Sequence, residues 1–286
     1  MTDGHGISAS TDLVLTENPS MTEEDVQDMF SEYLGIGTYH LYPDPLGLYI
    51  EHIDCWGKFL SPDTVMIVEV DPSHSHYDDF EDAATYFSNL MSCYGTPYNV
   101  VRVYCHLDEP YINSLILNDK VLVPITGSSY DADALQAYED AMPGYEVLGF
   151  TGSWQNTDAL HCRTKGIPDL DMIGIDHDEL VNQMPNDEGF LVESDMIEYG
   201  GSKVILSPEI HWKNTSVGVW NTVPMSNDED TYFAYIPNHP CGETISYYLS
   251  AENSESDQFN LPYMGASDPF SFEITLVPDI LSLIHI

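Results

Sequence analysis

The sequence predicts an α/β domain followed by a small β-sandwich. Strand–helix–strand units recur three times at similar spacing up to Phe150, the mark of an internal structural repeat. Past about Asp176 the helical period disappears, and short β-rich runs separated by turn residues take over. Apolar and aromatic contents of 43% and 12% are ordinary, so both parts have the means to bury a core.

Helical patterning starts at Thr22 and runs to Leu34. Thr22 followed by Asp25 reads as a capping box with Asp in place of Glu; Val26, Met29, Phe30 and Tyr33 form a stripe, and Gly35 ends it. A second helix is predicted over Asp78–Met91, with Phe80, Ala83, Ala84, Phe87, Leu90 and Met91 on one face. The third covers Asp131–Met142 and stops at Pro143-Gly144. Strands are expected at Leu13–Thr16, Thr38–Leu41, Val65–Val70, Val100–Tyr104 and Glu146–Phe150. A hairpin is expected from Ser114–Leu117 and Val121–Ile125, turning at Asn118-Asp119. In the second part the expected strands are Lys203–Leu206, Val217–Trp220, Tyr232–Ile236, Thr244–Ala251 and Phe270–Leu276. Trp212, Trp220, Tyr247 and Tyr248 supply aromatic bulk for a sandwich core.

Charge narrows the function. Forty-eight acidic residues against seven Lys and Arg give a net charge of −41, which excludes a basic nucleic-acid footprint and disfavours anionic membranes. The same field attracts cationic ligands such as guanidinium compounds, although acids spread along the whole chain read first as a solvated surface suited to high salt. No apolar run has the length of a membrane span, and no secretory signal is visible at Met1. Cys55, Cys93, Cys105, Cys162 and Cys241 are odd in number and lack a CxxC pair, so neither a disulfide framework nor a structural zinc site is expected. The Asn227–Asp230 acid cluster and His74-x-His76 read as surface and loop features rather than metal sites.

Three segments stand out for chemistry. In Glu51-His52-Ile53-Asp54-Cys55-Trp56, a His and an Asp one residue apart would share a face on an extended strand. Glu109–Ser114 puts Asn113 at the mouth of the hairpin. Thr157–Thr164 is a polar loop that carries Cys162 between His161 and Arg163. Each has an ordinary structural explanation, and Cys and His remote in sequence form a nucleophile–base pair only if the fold joins them.

The chain resembles the bacterial peptidylarginine deiminase family, relatives of the agmatine deiminases in the guanidine-modifying pentein superfamily. The resemblance runs through MTDGHGISASTDLVLTENPS, YLGIGTYH, YIEHIDCWGKFLSPD, EPYINSLILN, AMPGYEVLGF and TDALHCRTKGIPD. It implies a partial five-bladed propeller of ββαβ units over residues 1–177 and an immunoglobulin-like β-sandwich over 178–278. It also implies hydrolysis of the guanidinium group of peptidyl-arginine to citrulline and ammonia, through a covalent thiouronium and without a cofactor. Cys162 matches the family nucleophile, His52 the general acid/base, Asp54 a guanidinium-binding carboxylate able to accept two parallel N–H bonds, and Asn113 a supporting polar residue. Tyr49 and Thr157 are expected to line the substrate channel. The implied partner is an arginine-containing peptide or agmatine, with neither nucleic acid nor membrane, and the implied location is secreted or cell-surface. An agmatine deiminase, an amidinotransferase and a non-catalytic binder of cationic peptides are the competing readings.

Both ends depart from the family pattern. Met1 falls inside the resemblance, so a preceding segment with a second guanidinium-binding Asp and carboxylate-binding arginines is expected to be missing, and with it turnover by this chain. Residues 279–286, ending Leu281-Ser282-Leu283-Ile284-His285-Ile286, are expected to be a non-native tail, because that hexapeptide resembles a translated sequencing adapter.

Overall fold

The structure, a computed structural model, describes residues 1–47, 50–106, 109–167, 169–200 and 204–276. The expected tail at 279–286 and Tyr49 therefore lie outside the described residues. The chain divides into two units, Met1–Gly166 and Ile167 onward.

In the first unit, strand β1 (Ile7–Thr11), helix α1 (Leu13–Glu17), helix α2 (Glu23–Leu34) and strand β2 (Thr38–Tyr42) follow in order. β1 and β2 are parallel, in register from Ile7 opposite Thr38 to Thr11 opposite Tyr42. The capping box forms as expected: the Thr22 hydroxyl accepts the Asp25 amide while the Asp25 carboxylate accepts the Thr22 amide. Gly35 ends α2 at φ +69°, a left-handed conformation that suits glycine. Val26, Ile36 and Tyr39 form a small core here, and Phe30 stacks on Tyr39 with centroids 4.2 Å apart.

The expected strand at Leu13–Thr16 is instead the single-turn helix α1. Ile7–Thr11 takes the strand role because Thr38–Tyr42 offers its backbone a partner; Leu15 and Thr16 turn back to bond the Asp12 carbonyl. β1 is buried on both faces apart from Ser10, so it shows no period of two in sequence.

Two complete ββαβ units follow. The first consists of β3 (Gly57–Ser61), β4 (Thr64–Glu69), α3 (Tyr77–Ser88) and β5 (Asn99–Tyr104). The second consists of β6 (Leu115–Leu117), β7 (Lys120–Ile125), α4 (Asp131–Ala141) and β8 (Glu146–Thr151). In each, the first two strands form an antiparallel hairpin and the helix crosses over to a parallel third strand. The Asn118-Asp119 turn falls where the sequence places it, with Asn118 at φ +52°. Val65, Met66 and Ile67 of β4 are fully buried, as a central strand covered on both faces requires. One core joins both units: Trp56, Phe59, Phe80, Phe87 and Val103 belong to the same cluster as Tyr111, Val121, Val123 and Tyr138.

The second unit is all-β. Its strands are β9 (Ile173–Asp176), β10 (Phe190–Glu198), β11 (Leu206–Asn214), β12 (Asn221–Pro224), β13 (Ser226–Asp228), β14 (Thr231–Ile236), β15 (Thr244–Glu252), β16 (Gln258–Leu261) and β17 (Phe270–Glu273). One antiparallel sheet has the order β13-β14-β10-β9; the other has the order β12-β11-β15, with β16 and β17 dividing the far edge of β15 between them. Phe190 of the first sheet meets Phe272 of the second at 5.0 Å, edge to face.

Three expectations shift. The boundary at 177 moves back to Gly166, because Ile173–Asp176 pairs with β10 and so belongs to the second unit. Val217–Trp220 is a loop with exposed Val217 and Val219, where the Asn214 carbonyl accepts two turn amides; the strand there is Asn221–Pro224. The strand expected over Lys203–Leu206 begins at Leu206 and extends to Asn214; Lys203 is outside the described residues. Among the described residues, no helix is long and apolar enough to cross a membrane.

Candidate active site

The residues singled out by sequence sit at the entrances of successive units. Asp54 precedes β3, Asn113 precedes β6, and Cys162 lies in the turns after β8. His52-Ile53-Asp54 is not extended: Ile53–Cys55 is a turn of 3-10 helix, closed by bonds from the Cys55 and Trp56 amides to the His52 and Ile53 carbonyls. Trp56, wholly buried, anchors this turn in the core, and the Thr11 hydroxyl donates to the Glu51 carbonyl just upstream.

Asn113 is held by its neighbours. The Tyr138 hydroxyl on α4 donates to the Tyr111 carbonyl and accepts from the Ser114 hydroxyl, each at 2.9 Å, while the Tyr111 hydroxyl donates to Asp131 at 2.8 Å. This pins the backbone on both sides of Asn113, whose own side chain is 0% exposed. Asn113 then serves as the hub of the site. Its Nδ2 donates to the Asp54 carbonyl (3.1 Å), to Asp54 Oδ2 (3.0 Å) and to Cys162 Sγ (3.1 Å). Its Oδ1 accepts the Cys162 amide at 3.2 Å, and its backbone carbonyl accepts the His161 amide at 3.1 Å. Two amide hydrogens shared among three acceptors require one bifurcated bond.

The Cys162 thiol lies 3.4 Å from Asp54 Oδ2 and 3.8 Å from the Thr157 carbonyl. His161 Nδ1 stands 2.6 Å from the same Asp54 oxygen and must carry the hydrogen, since an ionised carboxylate only accepts. Burial opposes ionisation of Asp54, yet the His161 bond and charge, the Cys162 bond and the Lys58 charge outweigh it and hold the carboxyl down at about 2. Burial and the Asp54 charge push the Cys162 thiol up, against the lowering bond from Asn113. The resting pair is thus a carboxylate beside a protonated thiol.

The structure brings Cys162, Asp54 and Asn113 together. His52 is at the edge, its side chain 60% exposed and its Nδ1 4.0 Å from Asp54 Oδ1. Thr157 presents its backbone carbonyl to the thiol. Two residues with no role expected from sequence join them. His161 bonds Asp54 directly, and its only sequence signal is adjacency to Cys162. Lys58 is 7% exposed on β3; burial pulls its ammonium down to about 8, against the supporting charges of Asp54 and Cys162. A lysine inside the apolar run Gly57–Ser61 is the signal that could have found it. The expected pair of parallel N–H bonds to both Asp54 oxygens meets an Oδ2 already occupied by three protein donors.

Arg163 braces the loop. Its guanidinium forks onto Asp158 at 2.8 and 3.0 Å, reaches the Ser153 carbonyl at 3.4 Å and lies over the Trp154 ring 5.1 Å from its centroid. Arg163→Met is expected to speed proteolytic nicking between Ser153 and Arg163 several-fold while leaving the secondary structure intact. Limited proteolysis with mass analysis of the fragments checks this, and an unchanged cleavage rate would contradict the bracing role.

Residues 1–168 match the family model described as Porphyromonas-type peptidyl-arginine deiminase. A provisionally named agmatine deiminase from Streptococcus mutans is 25% identical over 179 residues, 51% of this chain and 48% of its own length. Another from Shewanella baltica is 24% identical over 203 residues, 58% and 54% of the respective chains. The solved structure of a provisionally named arginine deiminase from Porphyromonas gingivalis superposes with a TM-score of 0.50 and 28% identity, covering 56% of this chain and 53% of that one. A provisionally named peptidyl-arginine deiminase shares the fold with a TM-score of 0.52 and 23% identity, covering 59% and 56%. The chain spans about half the length of the curated relatives it matches. With more than half of its residues inside the family model, the chain belongs to the Porphyromonas-type peptidyl-arginine deiminase family.

Proposed function

We propose that the protein hydrolyses the guanidinium group of peptidyl-arginine to citrulline and ammonia, with Cys162 as nucleophile. The observation that carries this is the thiol 3.4 Å from the Asp54 carboxylate. A neighbouring anion suits neither an acyl-transfer cysteine, whose intermediate is an oxyanion, nor a thiol that must ionise unaided. It does suit a cationic substrate. A guanidinium seated on Asp54 cancels the charge that holds the thiol proton; that proton passes to His52, and the thiolate forms where its electrophile is bound.

Cys162 Sγ then attacks the guanidinium carbon. The bond to a terminal nitrogen breaks, and that nitrogen leaves as ammonia with a proton delivered by His52 at the rim. Water, deprotonated by His52, attacks the S-alkylthiouronium carbon; the C–S bond breaks and the ureido product departs. Asn113 supports the sulfur throughout through its Nδ2, 3.1 Å away. The two ββαβ units and the β1–β2 pair support reading the first unit as part of a five-bladed propeller. The two facing sheets of the second support an immunoglobulin-like fold. That second unit and the family model favour peptidyl-arginine, whereas the names of the curated relatives favour agmatine.

The site is tested by alkylation with isosteric reagents, 2-chloroacetamidine and 2-chloroacetamide. The cationic reagent is expected to modify Cys162 on the order of tenfold faster, and Asp54→Asn to erase the difference. Equal rates in the native protein would contradict a guanidinium site. Turnover of a peptide ending in arginine, compared with agmatine and free arginine, assigns the substrate. Cys162→Ala is expected to lower it at least about a thousandfold.

A further inference from the structure

Asp54 does not offer its two oxygens equally. Oδ2 takes His161 Nδ1 at 2.6 Å, Asn113 Nδ2 at 3.0 Å and the Cys162 thiol at 3.4 Å. Three donors fill the roughly two lone-pair directions of one carboxylate oxygen. Oδ1 faces His52, 4.0 Å from its Nδ1. Two of the Oδ2 donors are fixtures. Asn113 is wholly buried in the hub described above, and Cys162 is held by the bond from its amide to Asn113 Oδ1. His161 differs, because its side chain is 46% exposed and its grip on Oδ2 is the shortest of the three.

We propose that His161 is a positioning and selectivity residue that keeps Asp54 Oδ2 occupied and leaves the carboxylate as a one-oxygen anchor. An incoming guanidinium then docks through Oδ1, on the His52 side, where its plane can turn the face of its carbon toward Cys162. A bidentate fork across both oxygens would require His161 to let go. His161 thus trades ground-state affinity for freedom of approach, because a cation held by one oxygen can turn its face to the sulfur while one clamped by two cannot. This inference rests on the guanidinium reading of the site.

The test measures how much methylguanidinium half-protects Cys162 from the neutral reagent iodoacetamide. The half-protecting concentration is independent of how fast the unprotected thiol reacts. Opening Oδ2 with His161→Ala is expected to lower that concentration roughly fivefold, the gain from one more charge-assisted bond. His161→Asn puts an amide donor where Nδ1 stands and is expected to restore a value within about twofold of the native one. Both changes fall on a half-exposed side chain and leave no buried hole, and the thermal transition of each variant confirms folding. Unchanged or weaker protection in His161→Ala overturns the proposal, as does an Asn variant that behaves like Ala, which would trace the effect to charge alone. Asp54→Asn separates the two readings. If it fails to weaken protection, the guanidinium site itself falls; if it weakens protection while His161→Ala does not tighten it, only the one-oxygen anchor falls.

Discussion

Asn113→Asp, which exchanges a single NH2 for oxygen, is expected to destabilise the first unit by about 3 kcal/mol or more at pH 7. The change puts a carboxylate oxygen where Nδ2 now stands, 3.0 Å from Asp54 Oδ2, 3.1 Å from the Asp54 carbonyl and 3.1 Å from Cys162 Sγ. All three partners are acceptors or weak donors, and the position is 0% exposed. Two carboxylates in one buried site cannot both ionise at ordinary cost, so one is held protonated with its pKa raised. A raised folded-state pKa gives a penalty that vanishes below the unfolded value and grows as pH rises toward the folded one. The deficit in melting temperature against the native chain is therefore expected to shrink between pH 7 and about pH 4.5. Asn113→Ala loses the same hydrogen bonds without adding charge, and its deficit is expected to change little over that range. Thermal melts of the three proteins at both pH values decide it; parallel pH responses for the Asp and Ala variants would contradict the hub geometry. The native Asp54 has the opposite sign. Held down at about 2, it contributes about 2 kcal/mol above the ordinary carboxylate range, lost as pH falls through about 2.

Raising KCl from 0.1 M to 2 M is expected to lift the melting temperature by about 10 °C or more. The chain carries 48 acidic and seven basic side chains, a net charge of −41. Several of those few cations are already engaged: Arg102 with Glu81, Lys120 with Asp119 and Glu146, and Arg163 with Asp158. Forty-eight carboxylates share those seven cations, and the net repulsion works against the compact state. Screening contracts from about 10 Å at 0.1 M to about 3 Å at 1 M, which removes repulsion between neighbours while affecting the buried bonds of Asn113 much less. Salt also strengthens apolar burial, so the comparison that isolates charge is one at pH 4.5, where partial protonation replaces screening. There the salt response is expected to shrink by about half or more. A flat melting temperature across the salt series at pH 7 would show that the acidic surface carries no strain.

How much was legible depends on how local each signal is. Thr22, Asp25 and Gly35 encode the ends of α2 within a few residues, and the structure reproduces both caps. Asn118-Asp119 encodes its hairpin just as locally. β1 and β3 lack a readable period because nearly every residue in them is buried, which erases the alternation that marks a half-exposed strand. β10 is a different case. Its residues from Phe190 to Met196 alternate inward and outward, a legible pattern that the expected strand set leaves unused.

By itself the sequence determined the repeated strand–helix–strand plan and the change to an all-β second unit, and its resemblance to the deiminase family singled out Cys162, Asp54 and Asn113 as candidates. The plan follows from local propensity, the candidates from matched stretches eight to twenty residues long. Only the tertiary structure decided that Asp54 lies in a 3-10 turn, that Asn113 joins the three segments, and that His161 rather than His52 holds the Asp54 carboxylate. Asp54, Asn113 and Cys162 are 49 to 108 positions apart along the chain. What brings them to hydrogen-bonding distance is the shared core of the two ββαβ units, in which Trp56, Tyr111 and Tyr138 are buried. No short-range pattern encodes a contact of that kind, because its geometry is fixed by packing between elements and not by the propensities of the residues that make it.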